Sequence, residues 1–102
     1  MKKEVELYEI MYLLKPNFTD QELAKEIDLY KELLINEGSQ VMVQNRGKRQ
    51  LSYPIKGFET ATYVQMLYLG NGELNKTLQR AIARDSSVLR HLTTKVSNLE
   101  TI

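Results

Sequence analysis

Positive charge is concentrated in one short segment and along one predicted helix of this sequence. Residues 46–49 read Arg-Gly-Lys-Arg. The guanidinium groups could bind phosphate oxygens through paired hydrogen bonds, and the glycine could permit close approach. Lys76, Arg80 and Arg84 recur at intervals of four residues, which would align them along one side of a helix. Both patterns are also typical of solvated surfaces, so anion binding and simple solubility are both open at this point.

Side chains suited to catalysis or metal binding are sparse in this sequence. The chain has no cysteine and a single histidine, His91, which excludes thiolate metal sites and disfavours histidine-based metal sites and catalytic triads. The sequence contains no glycine-rich loop of the nucleotide-binding kinds. Residues 15–18, after the first predicted strand, do not supply the arginine-bearing phosphate loop of an acyl-phosphate hydrolase. We therefore expect no enzymatic activity, no cofactor and no metal.

The balance of charge differs between the two halves of the chain. Fourteen lysines and arginines against thirteen carboxylates give the 102 residues a net charge of +1, a small excess for a nucleic-acid-binding domain. Carboxylates dominate residues 1–40, whereas cations dominate after Arg46. The second half is therefore basic, and the distribution of charge is more informative than its sum.

The length predicts one domain over residues 1–102, with an ordered core at about residues 4–96. The apolar segment near the start is not typical of a secretory signal, because Glu4, Glu6 and Glu9 interrupt it and no small-residue cleavage site follows. No other segment reaches the roughly 20 apolar residues of a membrane span. We expect a protein of the cytoplasm or of an organelle stroma.

Hydrophobic periodicity predicts six elements in the order β-α-β-β-α-β. Strands are expected near residues 4–14, 39–55, 61–69 and 88–96, and helices after Thr19 and over residues 73–84. Thr19 and Glu22 have the spacing of a capping box. Pro54 places the second strand at a sheet edge, because proline cannot donate to a ladder. This order predicts an α+β, ferredoxin-like split βαβ fold, in which a four-stranded antiparallel sheet carries two helices on one face.

The opposite face of such a sheet is left uncovered by the two helices. One alternating set of apolar residues in the first strand must therefore be partly exposed, and the sequence leaves open which set this is. The candidates are Leu7, Met11 and Leu13 or Tyr8, Ile10 and Tyr12. An apolar patch of this kind predicts a binding partner.

Residues 56–58 read Lys-Gly-Phe and invite comparison with the signature of RNA-recognition motifs. In that signature a second aromatic residue and valine follow almost at once, whereas residues 59–62 intervene here before Tyr63 and Val64. The aromatic side chains would not fall at the offsets required for stacking on bases. We therefore interpret them as packing residues.

Three short segments carry the most specific pattern in this sequence. Residues 8–14 read YEIMYLL, residues 47–55 read GKRQLSYPI, and residues 88–92 read VLRHL. Together they resemble the family of bacterial and plastid small-subunit ribosomal protein number six. In that family a Gly-x-Arg-x-Leu-Ala-Tyr-Pro-Ile string marks the second strand, and this chain departs from it by Ser52 in place of the common alanine. The resemblance covers about residues 4–96.

The resemblance implies a structural protein of the small ribosomal subunit that supports subunit assembly and translation. It implies binding to the central domain of small-subunit ribosomal RNA beside small-subunit ribosomal protein number eighteen, a basic protein, on ribosomes of the cytoplasm or plastid stroma. Ribosomal RNA contacts are expected from Lys2, Lys3, Arg80, Arg84, Arg90 and His91. Docking of protein number eighteen is expected from Arg46, Lys48, Arg49, Leu51, Tyr53 and Ile55.

An alternative interpretation is a free-standing ferredoxin-like domain that binds a small regulatory ligand. Such a domain would form homodimers through the open sheet face. Because one fold hosts many functions, the fold alone does not decide between the two interpretations. Self-association together with stabilisation by a small metabolite would favour the alternative.

Overall fold

The computed structural model describes residues 5–96, which form six elements in the predicted order. The elements are β1 (Glu6–Leu14), α1 (Asp20–Asn36), β2 (Val41–Ile55), β3 (Phe58–Gly70), α2 (Gly72–Ala83) and β4 (Val88–Val96). The largest difference from the predicted bounds is in β3, which begins at Phe58 because its first residues pair with the end of β2. The predicted fold class is confirmed.

The strands form one sheet in the order β2-β3-β1-β4, and all neighbouring pairs are antiparallel. β1 and β3, which carry apolar residues on both faces, lie in the centre of the sheet. β2 and β4 form the edges, and the position of β2 is the one that Pro54 predicts. Both helices pack on one face of this sheet.

The ends of α1 follow from local sequence. The Thr19 hydroxyl accepts a hydrogen bond from the Glu22 N–H at 3.1 Å, and the Glu22 carboxylate accepts one from the Thr19 N–H at 3.0 Å. The predicted capping box is thus confirmed. The helix ends where Gly38 adopts a φ of 89° and the Ser39 N–H donates to the carbonyl of Leu34, the arrangement of a Schellman motif. Within residues 5–96, no helix has the length and apolar character needed to cross a membrane.

The main core lies between the helices and the sheet. Each helix directs one apolar stripe inward, centred on Tyr30 and Leu34 in α1 and on Leu78 and Ile82 in α2. These pack against the buried sheet residues Tyr8, Ile10, Tyr12, Leu14, Val64, Met66, Tyr68 and Val88. The apolar stripes of both helices and one face of the sheet therefore form a single core.

The β2–β3 hairpin has a tight turn and two irregularities that bend it. Lys56 and Gly57 form a two-residue turn in which both φ angles are positive, 51° and 85°, as the twist of paired strands favours. A bulge follows Asn45, where Arg46 is the extra residue and Gly47 adopts a φ of 89°. The Gly47 N–H donates to the side-chain oxygen of Asn45 at 2.8 Å. The glycine of the basic segment thus shapes the strand.

We expect Gly47→Ala to lower the free energy of unfolding by about 1 kcal/mol, because alanine is strained at this positive φ. No atom lies within 4 Å of the position that an added Cβ would occupy, so the effect would come from the backbone alone. Gly72→Ala is the matched control, since its added Cβ also meets open space at the start of α2. Denaturant titration measures both variants. Equal stability of the two would contradict the assigned bulge.

Candidate functional site

The sheet surface turned away from the helices, which we call the open face, carries apolar side chains. In β1, Tyr8, Ile10 and Tyr12 are buried under the helices. The alternating residues of the same strand therefore lie on the open face. Those residues are Leu7, Met11 and Leu13, and all three are half-buried. Of the two sets left open by the sequence, the structure selects this one.

Large apolar side chains at both edges of the open face are exposed. Met42 of β2 lies opposite Leu67, and Leu92 of β4 lies opposite Met11. Their exposed fractions are 61% and 67%. Because exposed apolar side chains at both edges adjoin half-buried ones in the centre, this part of the open face has the character of an interaction surface.

The other end of the open face is covered by the β2–β3 hairpin. Between the pairs Gln50↔Thr60 and Ile55↔Phe58, β2 contains residues 51–54 and β3 contains only Glu59. The longer strand bends over the sheet, and a second apolar cluster fills the space beneath it. The cluster consists of Ile55, Ala61 and Leu89 with Leu13, Leu51, Phe58 and Tyr63 packed against them. The uncovered area of the open face is therefore smaller than expected for a sheet that has only two helices on its other face.

A line of polar side chains crosses the open face. The Arg46 guanidinium donates two hydrogen bonds to the Gln65 side-chain oxygen, at 3.0 and 2.8 Å. The Gln65 amide nitrogen in turn donates to the Glu9 carboxylate. These contacts join β2, β3 and β1 in one line of hydrogen bonds. A partner covering this face must therefore accommodate polar groups at its centre.

The residues expected to dock a partner protein divide into two groups. Leu51 and Ile55 pack in the second apolar cluster and are half-buried and buried, respectively. The remaining members are exposed on β2, namely Arg46, Lys48, Arg49 and Tyr53. The Arg49 guanidinium lies 5.3 Å from the centre of the Tyr63 ring, within the range of a cation–π contact. The exposed group supplies cations and an aromatic ring at the border of the open face.

The residues expected to contact RNA lie on more than one surface. Lys76, Arg80 and Arg84 are all exposed along α2 and its C-terminal cap, so the basic stripe predicted for this helix is present. Lys2 and Lys3 lie outside the described residues. The stripe belongs to the helix layer and not to the open face.

Arg90 and His91 are consecutive in β4 and therefore point to opposite sides of the sheet. Arg90 lies opposite Leu13 on the open face, and its guanidinium donates to the Tyr53 hydroxyl at 2.8 Å. His91 lies opposite Tyr12 on the helix side, and its Nδ1 is buried with no hydrogen-bond partner in the described part of the chain. Arg90 thus joins the expected docking residues, whereas His91 faces the main core.

A partly buried polar cluster connects α1 to the turn before β4, and sequence reasoning missed it. The Tyr30 hydroxyl donates to Asp85 Oδ2 at 2.6 Å, and the Ser87 N–H donates to Asp85 Oδ1 at 2.8 Å. The Glu26 carboxyl adjoins Asp85, and its Oε2 is buried with no hydrogen-bond partner in the described part of the chain. The spacing of Glu26 and Tyr30 places both residues on the same side of α1, and this pattern could have indicated the cluster.

The pKa values of the two carboxyl groups of this cluster shift in opposite directions. Burial and a hydrogen bond to Asp85 raise the pKa of Glu26 to about 7, against the opposing effect of Lys15. Burial acts to raise the pKa of Asp85, but hydrogen bonds from Glu26, Tyr30 and Ser87 outweigh it and lower that pKa. Protonated Glu26 can therefore donate to ionised Asp85, as expected for two carboxyl groups held close together.

Comparisons with known proteins agree with the fold and the sequence pattern. The family model described as Ribosomal protein S6 matches residues 7–95. The small ribosomal subunit protein bS6c of Guillardia theta is 46% identical over 90 residues, which cover 87% of this chain and 94% of that protein. The small ribosomal subunit protein bS6 of Cyanothece sp. is 40% identical over 89 residues, which cover 86% of this chain and 84% of that protein.

A solved structure shows the same fold. The crystal structure of 30S ribosomal protein S6 from Thermotoga maritima matches with a TM-score of 0.88 and 21% sequence identity, covering 96% of this chain and 94% of that chain. The bacterial and plastid relatives agree with the expected location in a bacterial cytoplasm or a plastid stroma. Since the family model and the relatives both span most of the sequence, the chain belongs to the ribosomal protein S6 family.

Proposed function

We propose that this protein is a structural constituent of the small ribosomal subunit. In this role it binds the central domain of small-subunit ribosomal RNA together with small-subunit ribosomal protein number eighteen. Family membership supports the ribosomal role, from which RNA binding and a part in translation follow. The observation that carries the proposal is the open face, whose exposed apolar edge residues Met42 and Leu92 require a partner to cover them.

Protein number eighteen docks on the open face and on the exposed part of β2. Half-buried Leu7 and Met11 together with exposed Leu92 supply the apolar area. Arg46 and Tyr53 supply polar and aromatic contacts at the border, and these residue types are enriched in protein interfaces. A basic partner also contributes positive charge to the complex, which is why a protein of net charge +1 can join an RNA assembly.

Ribosomal RNA contacts the side of the molecule away from this docked protein. Arg80 and Arg84 present exposed guanidinium groups in successive turns of α2, and such groups bind phosphate oxygens well. Lys2 and Lys3, which precede the described residues, belong to the same proposed RNA-binding set, whereas Arg90 lies on the open face and His91 faces the main core. With protein on one layer and RNA on the other, the small domain can bridge the two.

Homodimerisation through the open face is the competing use of the same apolar surface. Family membership does not favour it, because the matching relatives are named as ribosomal proteins. Sedimentation of the purified protein, alone and with protein number eighteen, separates the two outcomes. We expect a heterodimer. A stable homodimer that does not exchange with protein number eighteen would contradict the proposed docking.

We expect Arg84→Ala to reduce the salt dependence of binding to a central-domain RNA fragment. About three neutralised phosphates predict a slope of about −2 to −3 in a plot of log affinity against log salt. Removal of one phosphate contact should flatten that slope by about 0.7–0.9. Filter binding in the presence of protein number eighteen measures the slope. The control is Lys25→Ala, which removes an exposed cation from the acidic half of the chain. If the slopes for Arg80→Ala and Arg84→Ala were both unchanged, α2 would not belong to the RNA site.

A further inference from the structure

Two segments that are distant in sequence meet above the open face. Residues 51–55 belong to the bent part of β2, and residues 88–90 begin β4 at the opposite edge of the sheet. Leu89 is the extra residue of a bulge between the pairs Leu13↔Arg90 and Leu14↔Val88. The bulge turns Leu89 toward the hairpin, where it packs with Ile55 and is only 6% exposed. The hairpin therefore packs against the first residues of β4.

Arg90 extends this contact to the outer surface of the hairpin. Its guanidinium Nη1 donates to the Tyr53 hydroxyl at 2.8 Å, and its guanidinium carbon lies 5.7 Å from the centre of the Tyr53 ring. The two residues thus make both a hydrogen bond and a cation–π contact. Because β3 and β1 separate β2 from β4 in the sheet, this pair connects the two edges across the open face.

The contact matters because the bent part of β2 has little support from the sheet ladder. Residues 51–54 lie between two regular pairs and outside the regular register with β3, and Pro54 cannot donate a backbone hydrogen bond. Tyr53 is 56% exposed, so burial contributes little to holding its ring. The hydrogen bond and the cation–π contact with Arg90 both act on the Tyr53 side chain.

We propose that Arg90 is a positioning residue that holds Tyr53 and the bent part of β2 over the open face, so that the docking surface for the partner protein is formed before binding. Preformed surfaces bind more tightly because less side-chain and loop ordering accompanies association. This proposal rests on the proposed docking of protein number eighteen. It also assigns Arg90 to the protein interface, whereas Arg80 and Arg84 serve RNA.

Hydrogen exchange on the free protein tests the positioning role without any partner. We expect Arg90→Ala to speed the exchange of hairpin amides in residues 48–63 by about five-fold, because the hydrogen bond and the cation–π contact are both lost. Arg90→Lys retains a donor and a cation and should restore most of the protection. Arg84→Ala, which removes an exposed arginine from α2, should leave the hairpin unchanged. Unchanged exchange in Arg90→Ala would overturn the proposal.

Binding measurements separate positioning from RNA contact. Arg90→Ala should weaken the affinity for protein number eighteen by about 3- to 10-fold, as loss of a charged hydrogen bond and a cation–π contact implies. The slope of RNA affinity against salt should stay as in the wild type. Tyr53→Phe combined with Arg90→Ala should weaken partner binding by less than the product of the single effects, since the two residues act as a unit.

The outcomes of these measurements are distinct. An Arg90→Ala variant that flattens the RNA salt slope as Arg84→Ala does, with unchanged partner affinity, would overturn the positioning role. Independent effects of Arg90→Ala and Tyr53→Phe on partner affinity would do the same. A wild-type protein that fails to bind protein number eighteen would instead overturn the proposed function, and the exchange experiment would still decide whether Arg90 holds the hairpin.

Discussion

Leu92→Lys is expected to weaken binding to small-subunit ribosomal protein number eighteen by about 100-fold, because a charge placed in a buried apolar contact adds desolvation to the loss of packing. Leu92 is 67% exposed in the free protein and lies opposite Met11 at the edge of the open face. The free energy of unfolding should therefore change by less than about 1 kcal/mol.

The matched control for this variant is Leu29→Lys. Leu29 is 54% exposed on α1, in the helix layer, so the control adds the same charge on the side of the molecule away from the open face. We expect it to leave partner affinity unchanged. Isothermal titration with purified protein number eighteen measures both variants, and thermal unfolding checks that both are folded. Equal affinities for the two would show that the open face is not the docking surface.

Glu26→Gln is expected to abolish a pH dependence of stability that the wild-type protein shows near neutrality. The pKa of Glu26 in the folded protein is raised to about 7 from an ordinary value of about 4.5, so between these values the folded protein binds more protons than the unfolded chain. The stabilisation by protonated Glu26 is complete below this range and is lost as pH rises through about 7. The glutamine amide can donate to Asp85 at every pH.

The free energy of unfolding of the wild type should fall by about 1–2 kcal/mol between about pH 5.5 and pH 8.5, after allowance for solvent screening of a partly exposed group. The Glu26→Gln profile should be flatter over the same range. Denaturant titration across pH gives both curves, and the proteins differ only at residue 26, so every other titrating group contributes to both. The groups that face the pair are Tyr12, Lys15 and Tyr30. Parallel curves would show that folding does not raise the pKa of Glu26.

The contact between Arg90 and Tyr53 could be predicted from the sequence only in part. The sequence identified Tyr53 in the second strand and Arg90 in the last strand, but it placed them in two different functional sets. Their contact at 2.8 Å depends on the bend of residues 51–54 and on the bulge at Leu89. Neither irregularity has a periodic signal, because each depends on how the two segments pack and not on a repeat within either one.

The sequence by itself determined the elements, their order and the ends of α1. These features depend on interactions between residues close in the chain: the alternation of apolar residues in β1, the capping box of Thr19 and Glu22, and the positive φ of a glycine. The strand order followed as well, since a β-α-β-β-α-β chain with right-handed crossovers has few alternatives. The specific string in residues 47–55 also predicted the family that the comparisons show.

Only the tertiary structure decided which apolar set of β1 forms the open face, how much of that face the hairpin covers, and which polar groups meet. Arg90 and Tyr53 are 37 residues apart, and Tyr30 and Asp85 are 55 apart. Such pairs form because the packed sheet and helices bring distant segments within a few ångströms of each other. The separation of these segments in the sequence carries no information about their contact. Local patterns therefore determine the elements of this protein, whereas long-range packing determines its surfaces.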